Sequence, residues 1–109
     1  MNVPARAREN LRLLARRRGT ITYWGLALAL DLEPPNTIRR VAEALEALMR
    51  EDQKNGAPLI AALVVSKFRT GVPAPIFFDL ARKLGLYRGS EAGPEAAAWH
   101  AEELERAWG

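Results

Sequence analysis

Apolar residues recur every three or four positions along several stretches of this chain, the spacing that places them on one face of an α-helix. The strongest repeat lies in residues 37–53, where the apolar face consists of Ile38, Val41, Leu45, Leu48 and Met49. Shorter repeats predict helices over residues 4–18, 23–32, 76–84 and 95–109. Pro34 and Pro35 separate the second helix from the third, because proline cannot continue a helix.

One apolar run has a different pattern. Residues 59–65 are apolar without interruption and are bounded by Pro58 and Ser66, which predicts a buried strand. The basic turn that follows contains Gly71 and leads into two prolines, so we expect a hairpin with a short second strand. Upstream, residues 20–22 form an extended bridge or a small strand, and Thr22 can cap the second helix.

Two helices joined by a short turn and followed by a hairpin are typical of a winged helix-turn-helix. The sequence therefore predicts a mainly α fold with a small β-hairpin, a winged-helix-like domain with an added C-terminal helix. We expect the domain to span residues 1–86 and a linker to span 87–94. The helix over 95–109 is expected to pack on the same domain.

Composition favours an ordinary globular domain, with 109 residues that are 49% hydrophobic and 27% charged. No apolar run approaches the roughly 18 residues of a membrane span, and the N-terminus lacks the apolar core of a secretory signal. We therefore expect a cytoplasmic protein without a membrane partner. Residues 1–18 contain six arginines and one glutamate, whereas the last residues are acidic. This asymmetry indicates either a surface that attracts anions or an acidic tail that neutralises it.

Candidate chemistry for catalysis is sparse. The chain has no cysteine and one histidine, His100, and it lacks nucleophile-elbow, phosphate-loop and dinucleotide motifs. A metal site needs several nitrogen, oxygen or sulfur ligands, which His100 does not gather in sequence. We expect no enzymatic activity, no metal and no cofactor.

Residues 19–48 resemble the DNA-binding domain of O6-alkylguanine alkyltransferases and alkyltransferase-like proteins. The matching positions are Thr22, Tyr23 and Ala27 in one motif and Arg39, Val41, Ala44 and Leu45 in another. The resemblance implies that Tyr23 contacts a DNA phosphate and that Arg39 fills the gap left by a flipped nucleotide. Trp24 and Ala42 replace glycines of that family, and its Pro-Cys-His-Arg active-site motif is absent, which excludes alkyl transfer. Most of the chain is also similar to a group of small bacterial proteins of no known activity.

Several basic residues are candidate nucleic-acid contacts. Arg39 and Arg40 stand in the first turn of the long helix, where cations oppose the helix dipole but suit a nearby phosphate. The alternative is that Arg39 pairs with Glu43 while Arg40 is simply exposed. Arg8, Arg12 and Arg16 recur every four residues and either follow a phosphate backbone or form a solvated face.

Aromatic residues raise three further alternatives. Lys67, Phe68 and Arg69 form a tip that touches DNA, or Phe68 packs back onto the core. Tyr23 contacts a phosphate, or it anchors the turn beside a buried Trp24. Trp99 and Trp108 lie about 180° apart around the last helix, so one can meet a partner. The sequence thus predicts a DNA-binding protein or, alternatively, a protein-interaction module or homodimer of the same fold.

Overall fold

The computed structural model describes residues 2–69 and 71–109. Within them the chain forms five α-helices, a 3₁₀ helix and two short strands. In chain order these are α1 (Val3–Arg16), β1 (Ile21–Thr22), α2 (Tyr23–Ala29), α3 (Thr37–Lys54), the 3₁₀ helix (Ile60–Leu63), β2 (Val64–Val65), α4 (Pro75–Lys83) and α5 (Gly93–Trp108). The mainly helical class predicted from the sequence is confirmed.

Side-chain caps fix where the first two helices begin. Asn2 Oδ1 accepts a hydrogen bond of 2.9 Å from the Ala5 backbone N–H, and Thr22 Oγ1 accepts one of 3.0 Å from Gly25. The predicted cap at Thr22 is confirmed. α1 ends at Arg16 rather than at residue 18, because Arg18 takes a left-handed conformation with φ of 52°.

The predicted β-hairpin is wrong. Only Val64 and Val65 of the expected strand form β2, and residues 60–63 form the 3₁₀ helix. β2 pairs in parallel with β1, with Ile21 opposite Val64 and Thr22 opposite Val65. The reason is that a short, fully apolar run is compatible with any buried backbone conformation, so the pattern cannot distinguish a strand from a helical turn.

Buried carboxylates take the place of a neighbouring strand at the beginning of this apolar run. Asp52 Oδ2 accepts a hydrogen bond of 3.1 Å from the Ile60 N–H, and Glu103 Oε2 accepts one of 3.4 Å from Leu59. The Nε2–H of His100 donates to the Ala62 carbonyl at 2.8 Å. These three buried groups, which we call the polar clamp, satisfy backbone groups that would otherwise cost free energy on burial.

The core lies between α5, the 3₁₀ helix and the facing sides of α1, α2, α3 and α4. Its aromatic part is a cluster in which Trp99 stacks on Tyr87 at 4.7 Å between ring centroids and also contacts Phe77 and Phe78. α5 begins at Gly93 rather than at residue 95, and Tyr87 in the segment before it is buried. None of the helices in the described ranges has the length and apolar content needed to span a membrane.

Replacing Asp52 with alanine should destabilise the fold by about 3 kcal/mol, because it leaves the Ile60 N–H without its acceptor and leaves a mostly buried Arg8 with only the exposed Glu51 as a partner. Glu51 provides a matched control, since it also contacts Arg8 but its side chain is 60% exposed, against 4% for Asp52. Glu51→Ala should cost less than about 1 kcal/mol. Urea denaturation measures both, and equal effects of the two variants would contradict the role assigned to Asp52.

Stability should also fall as the pH drops below about 6.5, the ordinary pKa of histidine. Burial lowers the pKa of His100, against smaller raising effects of the Ala62 hydrogen bond and the Glu103 charge. Between the lowered folded pKa and the unfolded pKa, the unfolded chain therefore binds a proton that the folded chain does not. Denaturant midpoints of the native chain and of His100→Gln, compared across this range, test the idea, and an unchanged pH dependence in the variant would contradict it.

Candidate functional site

Parallel pairing brings two segments of the chain to the same edge of the small sheet. The strands end together, at Thr22 in β1 and Val65 in β2. The first turn of α2 follows Thr22, and a loop follows Val65, described over residues 66–69 and 71–74. A backbone hydrogen bond of 2.8 Å from Ser66 N–H to the Val72 carbonyl closes this loop. The two segments therefore lie side by side, with the start of α3 next to them.

A groove of about 370 Å³ lies between these segments, and we call it the aromatic groove. Its walls are residues 22–24 of the first segment, residues 66–68 of the loop, Ile38 and Ala42 of α3, and Ala74 and Ile76 at the start of α4. Lys67 is the only charged residue in this lining. The groove thus combines apolar walls with one cation.

The aromatic groove gathers apolar side chains that the fold leaves in solvent. Exposure is 86% for Phe68, 53% for Ile76, 48% for Trp24 and 42% for Ile38. All four line the groove, whereas the other large exposed apolar residues of the described chain, Leu13, Leu28 and Leu86, do not. Clustered exposed apolar surface of this kind is typical of interaction sites and ligand-binding grooves, which makes the groove the candidate site. The prediction that Ile38 faces the core is wrong, because only Val41, Leu45, Leu48 and Met49 of that face reach the interior.

Tyr23 is hydrogen-bonded within the fold, whereas the adjacent Trp24 is exposed. The Tyr23 hydroxyl accepts a hydrogen bond of 3.1 Å from the Ala74 N–H, and burial raises the pKa of this phenol. Its neighbour Trp24 points to solvent. Tyr23 therefore joins α2 to the start of α4 and lines the groove.

The two cations of the loop differ in how they are held. Lys67 is exposed, with Nζ 5.1 Å from the centroid of the Phe68 ring. Arg69 donates to the Pro73 carbonyl at 3.0 Å and to the Glu91 carbonyl, and its guanidinium lies 5.7 Å from the Phe78 ring. Lys67 is available to a ligand. Arg69 instead fixes the loop against the segment that precedes α5.

The start of α3 adds further cations beside the groove. A smaller groove of about 110 Å³ shares Tyr23, Ala42 and Ile76 with the aromatic groove and also includes Arg39 and Glu43. The predicted Arg39–Glu43 ion pair does not occur among the described residues, and Arg39 is exposed. Arg40 is also exposed and reaches the Glu33 carbonyl at 3.5 Å.

The N-terminal arginine stripe lies on another part of the surface. Arg8, Arg12 and Arg16 border an open cleft of about 620 Å³ between α1 and α3, together with Glu9 and Glu51. Arg8 forms ion pairs of 2.9 Å with Glu51 and 2.8 Å with Asp52, so its role is to stabilise the fold. Arg12 and Arg16 are exposed, but the acids beside them make the cleft electrostatically mixed.

Both tryptophans of α5 contact the rest of the chain and are only partly exposed. Trp99 packs in the aromatic cluster of the core. Trp108 donates from Nε1 to the Gly19 carbonyl at 3.0 Å and lies under the Arg18 guanidinium. Arg18 in turn pairs with Glu105 at 2.8 Å. These contacts attach the end of α5 to the end of α1.

No cluster of three or more potential metal-ligating side chains occurs in the described part of the chain. Comparisons with protein-family models, with curated proteins and with solved structures returned no match for this chain.

Sequence reasoning found Tyr23, Arg39, Lys67 and Phe68 of this region but missed the groove itself. The missed residues are Trp24, Ile38 and Ile76, which are apolar and were assigned to the core or left without a role. A usable signal was present, since each lies at the first turn of a helix, next to the chain entering it. First-turn positions often face neighbouring loops rather than the helix-packing layer.

Tyr23→Phe should lower the free energy of unfolding by about 1 kcal/mol, because it removes the hydroxyl that accepts from Ala74 while preserving the ring. Trp24→Phe, which changes an exposed side chain in the same turn, serves as the control and should be near neutral. Chemical denaturation of both variants measures the difference. Equal stability of Tyr23→Phe and the native chain would show that this hydrogen bond does not anchor the groove.

Proposed function

We propose that this protein binds nucleic acid, with DNA as the expected ligand, and catalyses no reaction. In this proposal α2 and α3 serve as a helix-turn-helix, and the loop over residues 66–74 takes the place of a wing. The aromatic groove and the start of α3 form the binding surface. Because the sheet joins β1 and β2 in parallel, the proposed surface depends on this loop and not on a hairpin.

One observation carries the proposal: two exposed aromatic side chains and an exposed lysine line the same groove. Every base has a π-face that can stack on Phe68 or Trp24, and every phosphate carries a charge that attracts Lys67. Few other ligands combine flat apolar groups with regularly spaced negative charges. The arrangement therefore supports a nucleic acid over a purely apolar partner.

Arg39 supports the same proposal from α3. It lies in the first turn, where no acidic residue offsets the positive end of the helix dipole, and it borders the groove through Ala42 and Ile76. A cation in this position weakens an isolated helix by a few tenths of a kcal/mol. A bound phosphate would compensate for that loss, since it interacts favourably with both the guanidinium and the helix N-terminus.

The alternative of a partner bound through α5 gains less support. Trp99 and Trp108, the residues on which it rested, both contact the rest of the chain. The exposed apolar side chains that cluster in the described part of the chain lie in the aromatic groove. We therefore assign the proposed binding to the groove.

Lys67→Ala should weaken binding several-fold and reduce the slope of log affinity against log salt by about 1, as expected for one lost phosphate contact. Lys54→Ala is the matched control, because it removes the same charge at the far end of α3, about 20 Å from Arg39 along the helix. Anisotropy of a labelled DNA oligonucleotide, single-stranded and as a duplex, measures both across a salt series.

Two results would contradict the proposal. One is the absence of salt-dependent binding to either form of DNA at micromolar protein. The other is an equal loss of affinity in Lys67→Ala and Lys54→Ala, which would indicate a diffuse electrostatic attraction rather than binding at the groove.

A further inference from the structure

We infer that the aromatic groove takes unpaired bases, so that the ligand is single-stranded nucleic acid and its bases stack on Phe68 and Trp24. This inference rests on the proposed function and specifies the class of ligand. It follows from the kind of surface that the groove exposes, from its concave shape and from the charges along α3.

The exposed surface of the groove is apolar, whereas the outer surface of a duplex is polar and charged. A double helix presents phosphates and sugars on its outside and keeps its base faces stacked on one another. Phe68, the most exposed large apolar side chain of the described residues, would gain little from such a surface. A single strand exposes the faces of its bases, which stack on aromatic side chains with little dependence on sequence.

The shape of the groove points to the same ligand. Phe68 and Trp24 belong to opposite segments, the loop and the first turn of α2, and both line one concavity of about 370 Å³. A base can enter this concavity between Phe68 and Trp24 only if it is not enclosed between stacked neighbours. Lys67, beside the Phe68 ring, is placed to meet the phosphate of the nucleotide that enters.

Charges along α3 act against a docked duplex. Beyond Arg39 and Arg40, this helix exposes Glu43 and Glu46, with Arg50 paired to Glu46 at 3.2 Å, and then Glu51, which pairs with Arg8 at 2.9 Å, before Lys54 at its far end. A helix laid lengthwise in a DNA groove would bring these carboxylates close to two rows of phosphates, and like charges repel. The favourable contacts are confined to the start of α3, which suffices for a single strand.

The test compares four labelled ligands with the full-length protein: a short oligothymidylate, the same length of single strand with abasic sites, a mixed-sequence single strand, and its duplex. We expect both intact single strands to bind at least tenfold more tightly than the duplex or the abasic strand. Phe68→Ala should lower single-strand affinity about tenfold. Phe68→Tyr should retain most of the affinity, because it preserves the stacking ring.

Leu28→Ala is the matched control, since Leu28 is exposed on α2 but does not line the groove, and its affinity should equal that of the native chain. Circular dichroism verifies the fold of each variant, which is expected to be intact because Phe68 and Leu28 lie outside the core. Trp24→Ala provides a second, independent test of stacking.

The outcomes separate the two proposals. Equal or tighter binding of the duplex, or unchanged affinity of both Phe68→Ala and Trp24→Ala, would overturn the single-strand inference and leave DNA binding in place. Binding to none of the ligands would overturn both. Self-association that Phe68→Ala abolishes, without oligonucleotide binding, would assign the groove to a second copy of the chain instead.

Discussion

The buried contacts between three polar side chains and the 3₁₀ segment are the constraint on which the rest of this structure depends. Asp52, His100 and Glu103 come from α3 and α5, and they hold the backbone of residues 59–62 where a neighbouring strand would otherwise be needed. The polar clamp therefore determines where β2 begins. Since β2 leads directly into the loop with Lys67 and Phe68, it also positions one wall of the aromatic groove.

The residues that stabilise the fold and the residues proposed to bind a ligand differ in their surroundings. The groups that stabilise the interior are buried and paired, whereas the groups proposed to bind are exposed and unpaired. Arg8 and Arg39 illustrate the difference, because one is committed to Asp52 and Glu51 while the other has no ion-pair partner among the described residues. Both are arginines in helices, and only their surroundings separate a structural role from a proposed binding role.

The helices could be predicted from the sequence because their information is local. Apolar spacing, the Thr22 cap and the Pro34–Pro35 break each act within a few residues, and the structure has helices where they indicate them. The hairpin could not be predicted correctly, because the pairing of Val64 with Ile21 and the carboxylates that satisfy Leu59 and Ile60 come from distant parts of the chain. Apolar periodicity likewise placed Ile38 in the core, although tertiary packing leaves it on the groove. The candidate cations were visible in the sequence, but the concavity that they border was not.

Arg69 connects the loop to the segment that precedes α5. Its guanidinium holds Pro73 within the loop and Glu91 ahead of α5, so the loop is tied to the part of the chain that carries the aromatic cluster. α5 is tied in turn to the end of α1 through Trp108. The groove wall at residues 66–69 is thus linked, through Arg69 and Trp108, to segments that are distant in sequence. The proposed binding at a wall held in this way would lose little conformational entropy in the protein, which favours fast capture over induced fit.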